Sequence, residues 1–195
     1  MRLSRRFSEA LLYAAAVHAD QRRKVSGEPY LAHLLGVAAI VLEHGGNEDE
    51  AIAALLHDAI EDQGGAAVRE EIRCRFGQDV LEIVEGCSDT DTRPKPPWRQ
   101  RKEAHLARLR HASASIHLVS AADKLHNARA LLREYRARGE SIWDHFRGGR
   151  EGTLWYYRAV ADALKQSGAG PLVEELERVV GEIERLASQR GEKSS

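Results

Sequence analysis

Residues 47–65 read NEDEAIAALLHDAIEDQGG. Asn47 followed three residues later by Glu50 predicts a helix N-cap with its capping-box partner. From Ala51 onward the apolar residues recur at helical spacing, and Gly64-Gly65 ends the run. A helix so rich in Ala, Ile and Leu is a buried one. Yet His57, Asp58, Glu61 and Asp62 fall within six residues of it. Residues four apart share a helix face, which sets His57 near Glu61 and Asp58 near Asp62. No Lys or Arg lies between Glu43 and Arg69 to pair with them. Buried charge is costly unless it is paired or holds a metal, so a cation is the direct reading. The bland alternative is a solvated helix end beside a core histidine.

The same periodicity runs outward in both directions. Phe7, Leu11, Leu12, Ala15 and His18 line one face of a first helix, and Pro29-Tyr30 opens an apolar run to His44. Shorter helices are predicted over 66–75 and 78–87. The stretch SDTDTRPKPPWRQ, residues 88–100, holds three of the five prolines and reads as a loop of about ten residues. Helices follow over Arg99–Leu109, Ser113–Arg136 and Arg150–Gln166, and Gly170-Pro171 opens a last one to about Arg190. No alternating strand pattern and no repeat appears. The expected fold is all-α, a single helical-bundle domain of about eight to ten helices over 1–190, with 191–195 a frayed tail.

Composition bounds the function. A chain of 195 residues, 43% apolar and 30% charged, buries a sizeable core without disulfides or a structural metal. No apolar stretch of ~18 residues exists, so no membrane span is expected. Cys74 and Cys87 form no CxxC pattern, which fits a reducing cytoplasm. The net charge of −1 points away from nucleic acid. Locally the balance is uneven. Glu43–Glu85 holds 12 acidic and 3 basic residues, whereas Asp91–Arg110 holds 7 basic and 2 acidic. Carboxylates gathered for a cation and basic segments awaiting an anion explain both blocks. Solvated helix faces are the plain alternative.

Two further residues extend the cation reading. His33 lies in the apolar run PYLAHLLGVAAIV, and Asp123 lies inside the helical stretch AADKLHNAR. Each alone is more often a core or capping residue. Together with His57 and Asp58 they make two imidazoles and two carboxylates with no thiolate. Such a set suits a divalent ion of the Mn, Fe, Co or Zn type with open positions for water and substrate. Glu61 and Asp62, one turn on, are placed to handle that water.

The His…His-Asp…Asp order resembles HD-domain phosphohydrolases, which are all-helical. RKVSGEPYLAH (23–33), LLHDAIED (55–62) and ADKLHNAR (122–129) resemble the hydrolase domain of the Rel/Spo family, which degrades ppGpp and pppGpp. The likeness runs from about His18 to Tyr157. It implies metal ligation by His33, His57, Asp58 and Asp123, with Mn2+ as the ion. It implies Glu61 and Asp62 as the catalytic acidic pair. Arg23, Lys24, Tyr30, Asn127, Arg101, Lys102 and, near the 5′ phosphates, Arg150 match substrate contacts. Long family members continue into a synthetase and regulatory region, so this chain resembles a stand-alone small alarmone hydrolase.

Alarmones carry four or five phosphates, and basic residues over 22–24 and 93–102 offer the charge to meet them. Arg93, Lys95 and Arg99 are read either so or as a solvated loop. Trp98 is a candidate to stack on a base, and Trp155 a core residue. The sequence departs from the family at Ala130, where a polar residue near the base is usual, at Gly64-Gly65 and at Ser120-Ala121. None touches the acidic pair or the metal set, so base selectivity is what they open: ppApp is a candidate beside ppGpp. Two other readings keep the same site, a phosphatase of NADPH or another nucleotide, and a nucleotide sensor without turnover. The last helix, with Leu172, Val173, Leu176, Val179, Val180, Ile183 and Leu186, suits its own core or a second copy, so a homo-oligomer stays open.

Overall fold

The computed structural model describes residues 2–90, 94–168 and 170–191. Ten α-helices and one 3-10 segment account for most of them, and no strand is formed among the described residues apart from one isolated bridge between Arg22 and Pro29. The order is α1 (Arg5–Val17), α2 (Tyr30–Glu43), α3 (Glu48–Leu56), α4 (Ala59–Gln63), α5 (Ala66–Phe76), α6 (Gln78–Cys87), α7 (Trp98–Leu109), α8 (Ala114–Arg138), a 3-10 turn (Gly139–His145), α9 (Gly149–Ser167) and α10 (Pro171–Gly191).

Local chemistry sets several ends. Asn47 caps α3 by accepting from the Glu50 amide at 3.0 Å, and the Glu50 carboxylate accepts from the Asn47 amide at 2.7 Å. Ser4 and Ser113 cap α1 and α8 through their hydroxyls. Three acidic residues in the first turn of α3 complement the helix dipole.

The run expected as one helix over 51–62 is two. It breaks at His57-Asp58, between α3 and α4. The His57 imidazole Nδ1 bonds the Ala54 carbonyl at 2.8 Å. That carbonyl is the i−4 acceptor that the Asp58 amide would use in a continuous helix. The side chain thus competes with the backbone ladder. The Asp58 carbonyl still accepts from the Asp62 amide at 3.0 Å, so the acidic pair stays one turn beyond.

The core runs through every long helix. Central α8 buries Val119, Ala122, Leu125, Ala128 and Tyr135, and α3 buries Ala51 through Leu56. The stripe on α10 closes on its own chain: Leu172, Val173, Leu176, Val180 and Ile183 are buried against α8 and α9. Each such side chain contributes ~1.5–3 kcal/mol of transfer free energy. Trp155 packs against the same core. The expected 88–100 loop spans the α6–α7 connection and ends at Pro97; Arg93 lies outside the described residues, as does the tail beyond Gly191.

Candidate active site

Four side chains converge where α2, the α3–α4 break and α8 meet. His57 Nε2 lies 3.0 Å from Asp58 Oδ2 and 3.5 Å from Asp123 Oδ1. His33 Nε2 lies 3.2 Å from Asp123 Oδ1 and 3.8 Å from Asp58 Oδ2. His33, His57 and Asp58 offer ligand atoms within 4.8 Å of one another. Both imidazole Nε2 atoms are buried and have no hydrogen-bond partner. An orphaned buried ring nitrogen is costly unless something binds it. Two of them facing two carboxylates fit a divalent cation, and the donor set is the one expected.

The outer contacts prepare those nitrogens. His57 Nδ1 is taken by the Ala54 carbonyl, which fixes the proton there and leaves the Nε2 lone pair toward the carboxylates. His33 Nδ1 meets His126 Nδ1 at 2.9 Å. Gly36 makes this contact possible, since a Cβ there would stand 2.3 Å from His126 Nε2. Tyr30 donates its hydroxyl to Asp58 Oδ2 at 2.5 Å, and Asn127 donates to Asp123 Oδ1 at 2.5 Å. Asp123 also pairs with the half-buried Lys124.

The electrostatics follow. Burial opposes the charge on Asp123, but Lys124, His33 and His57 outweigh it and hold the carboxyl well below its usual range. Burial likewise opposes charge on His57, yet Asp58 and Asp123 push its pKa well up. The group therefore attracts positive charge. Asp62 moves the other way. Burial first, then the Asp58 carboxylate, raise its pKa, against a hydrogen bond from Gln21 at 2.8 Å. Burial pushes His126 down to about 4, so it stays neutral.

Beside this group lies a cleft of about 450 Å³. Asp62 stands in its wall, as do Arg23, Lys24, Tyr30, Lys102, Asn127 and Trp98. Arg23 donates to Asn127 Oδ1 at 2.6 Å and sits 5.7 Å from the centre of the Tyr30 ring. Glu61 is not in that wall. Its carboxylate accepts from Lys95 at 2.7 Å and from the Asp89 amide at 3.2 Å.

Two expected substrate contacts sit elsewhere. Arg101 is buried, pairs with Asp89 and donates to the Pro96 carbonyl at 3.1 Å, so it ties these two residues to α7. Arg150 turns to α10 and donates to the Ala187 carbonyl at 2.6 Å. It is three residues past Arg147, which does line the cleft. Sequence reading missed Lys124, Arg147, Thr153 and Tyr157, all in the wall. Lys124 was visible inside ADKLHN as a lysine in an apolar helical run. Arg147 follows a 3-10 segment that carries no periodic signal, whereas Thr153 and Tyr157 lie in α9, whose period marks a helix but not which side meets the cleft.

The HD domain family matches residues 10–154. The chain belongs to that family. A guanosine-3′,5′-bis(diphosphate) 3′-pyrophosphohydrolase of Xenopus tropicalis is 45% identical over 128 residues, 64% of this chain and 69% of that one. The bifunctional (p)ppGpp synthase/hydrolase SpoT of Escherichia coli is 37% identical over 133 residues, 65% of this chain and 18% of its own. Among solved structures, a metazoan ortholog of SpoT that hydrolyses ppGpp superposes with a TM-score of 0.76 at 28% identity, covering 92% of this HD-domain chain and 96% of the other. The four convergent side chains, the acidic pair and Arg23 with Asn127 all fall inside the matched segment.

Proposed function

We propose that this chain is a metal-dependent 3′-pyrophosphohydrolase of ppGpp-type alarmones, with His33, His57, Asp58 and Asp123 holding Mn2+. One observation carries the reading: two buried, unpartnered imidazole nitrogens face two carboxylates beside a cleft lined by Lys and Arg. The relatives named for this reaction support the substrate. Oxygen and nitrogen donors without thiolate favour Mn2+ over softer ions. When bound, a divalent ion at this group supplies Lewis-acid polarisation of a phosphoryl oxygen and lowers the pKa of water.

The chain's own residues do the rest. Water forms a bond to the 3′-linked phosphorus, the bond from phosphorus to the ribose oxygen breaks, and that oxygen takes a proton. Pyrophosphate and a nucleoside 5′-di- or triphosphate leave. Asp62, its pKa raised by burial and the Asp58 carboxylate and its side chain held by Gln21, moves a proton at that linkage. Glu61, fixed by Lys95, is its partner in handling the water. Arg23, Lys24, Lys102, Lys124 and Arg147 meet the phosphate charge from around the cleft. Two unpaired thiols suit a reducing cytoplasm.

A substrate panel tests this. Purified protein with Mn2+ is given ppGpp, ppApp and NADPH, and products are separated by anion exchange. Pyrophosphate with the 5′-diphosphate nucleoside is the expected outcome. Orthophosphate from NADPH alone moves the site to another phosphate ester. Tight alarmone binding with no product makes the chain a sensor.

A further inference from the structure

Helix α8 leaves the metal group and runs along the cleft. Asp123, Asn127, Leu131 and Glu134 recur on its cleft-facing side, and the last three line the cleft. Eleven residues separate Asp123 from Glu134, which is about 16 Å of helix rise, on the scale of one nucleotide. Ala130 and Leu131, one turn before Glu134 on α8, line the same cleft, as does Val25, whose carbonyl shares Arg138 with Glu134. Apolar side chains at that distance from the phosphate-handling end suit a nucleobase.

Glu134 itself is out of place for phosphate. The cleft wall carries seven Lys or Arg residues and only two carboxylates, Asp62 and Glu134. Asp62 belongs to the reacting end. A second carboxylate works against an anionic ligand unless it faces hydrogen-bond donors. It is also fixed. Arg138 donates to Glu134 Oε2 at 2.9 Å and to the Val25 carbonyl at 3.3 Å, which ties the carboxylate to the segment before α2. Oε1 has only a long contact to Arg133, at 3.4 Å. The side chain is 14% exposed.

We infer that Glu134 is a specificity-determining residue that reads the Watson–Crick edge of guanine, an inference that rests on the alarmone reading of the cleft. Guanine offers two adjacent donors there, N1–H and the N2 amino group, and a carboxylate accepts from both. Adenine offers one donor beside the N1 lone pair, which the carboxylate repels. Ala130, small and without a polar atom, leaves the edge to Glu134.

Turnover of ppGpp and ppApp is compared for the wild type and Glu134→Gln, with GDP and ADP binding followed by tryptophan fluorescence in parallel. The wild type is expected to prefer guanine at least about 10-fold in kcat/KM, chiefly through KM. Glu134→Gln is expected to lose that preference or invert it, since an amide pairs with adenine. Glu134→Ala, which removes the carboxylate without offering an amide, is expected to flatten the ratio without inverting it. A base ratio unchanged in both variants, or no preference in the wild type, overturns the inference. If neither alarmone is turned over while GDP still binds over ADP through Glu134, the reaction is misassigned and the base reading stands. Equal GDP and ADP binding removes it.

Discussion

His126 Nδ1 stands 2.9 Å from His33 Nδ1, so one imidazole orients another at the proposed metal site. Its own pKa, pushed down to about 4 by burial and the neighbouring His33, keeps it neutral across the working pH range. His126→Phe removes that orientation while keeping an aromatic ring of similar breadth. Mn2+ affinity is expected to fall ~10–100-fold with the fold intact. Gly36→Ala should do the same, because its Cβ would meet His126 Nε2 at 2.3 Å. Titration calorimetry with Mn2+ and a circular-dichroism melt check both. Unchanged affinity in His126→Phe removes the orienting role.

The acidic pair and the metal group separate by variant. Asp58→Ala is expected to abolish Mn2+ binding. Glu61→Gln is expected to keep Mn2+ and lose ~10²–10⁴ in kcat. Retained full turnover in Glu61→Gln would put the water in the care of Asp62 alone.

Arginines 101 and 150 are expected to behave as framework. Arg101→Ala leaves the Asp89 carboxylate, which is 10% exposed, with Lys102 as its one remaining charged partner, and should cost ~1–3 kcal/mol. Arg150→Ala removes one hydrogen bond to the Ala187 carbonyl and should cost ~1 kcal/mol with KM unchanged. Arg147→Ala, by contrast, should raise KM with little change in melting temperature. A KM rise in Arg150→Ala at wild-type stability contradicts this placement.

Acid lability has an identifiable contributor in His105. The ring is buried, neither nitrogen has a partner, and burial with Lys124 and Lys102 pushes its pKa down to about 3. The unfolded chain takes up this proton near pH 6.5, whereas the folded chain resists until about 3. Its contribution to stability is therefore complete above pH ~6.5 and is lost as pH falls from there toward 3, by up to ~1.4 kcal/mol per unit. His105→Leu should flatten the urea midpoint between pH 6.5 and 4. An unaltered slope assigns the lability elsewhere.

Much of this was legible in the sequence because one period dominates it. Helical spacing marked nearly every element, and the departures from it (His33, His57 and Asp123 in apolar runs) marked the site. What escaped was set by tertiary contact. The break at His57-Asp58 depends on an imidazole taking the Ala54 carbonyl. Arg101 and Arg150 lie in basic runs whose charge says nothing of which way each side chain turns. The 3-10 turn Gly139–His145 has no repeating apolar stripe, so Arg147 beyond it had no register to be placed by.

Pyrophosphate release from ppGpp, with Mn2+ and after its removal by EDTA, tests the central claim most directly. The account predicts release with Mn2+, none with EDTA, and recovery when Mn2+ is restored. Undiminished release in EDTA, or none with Mn2+ shown to be bound, would contradict it.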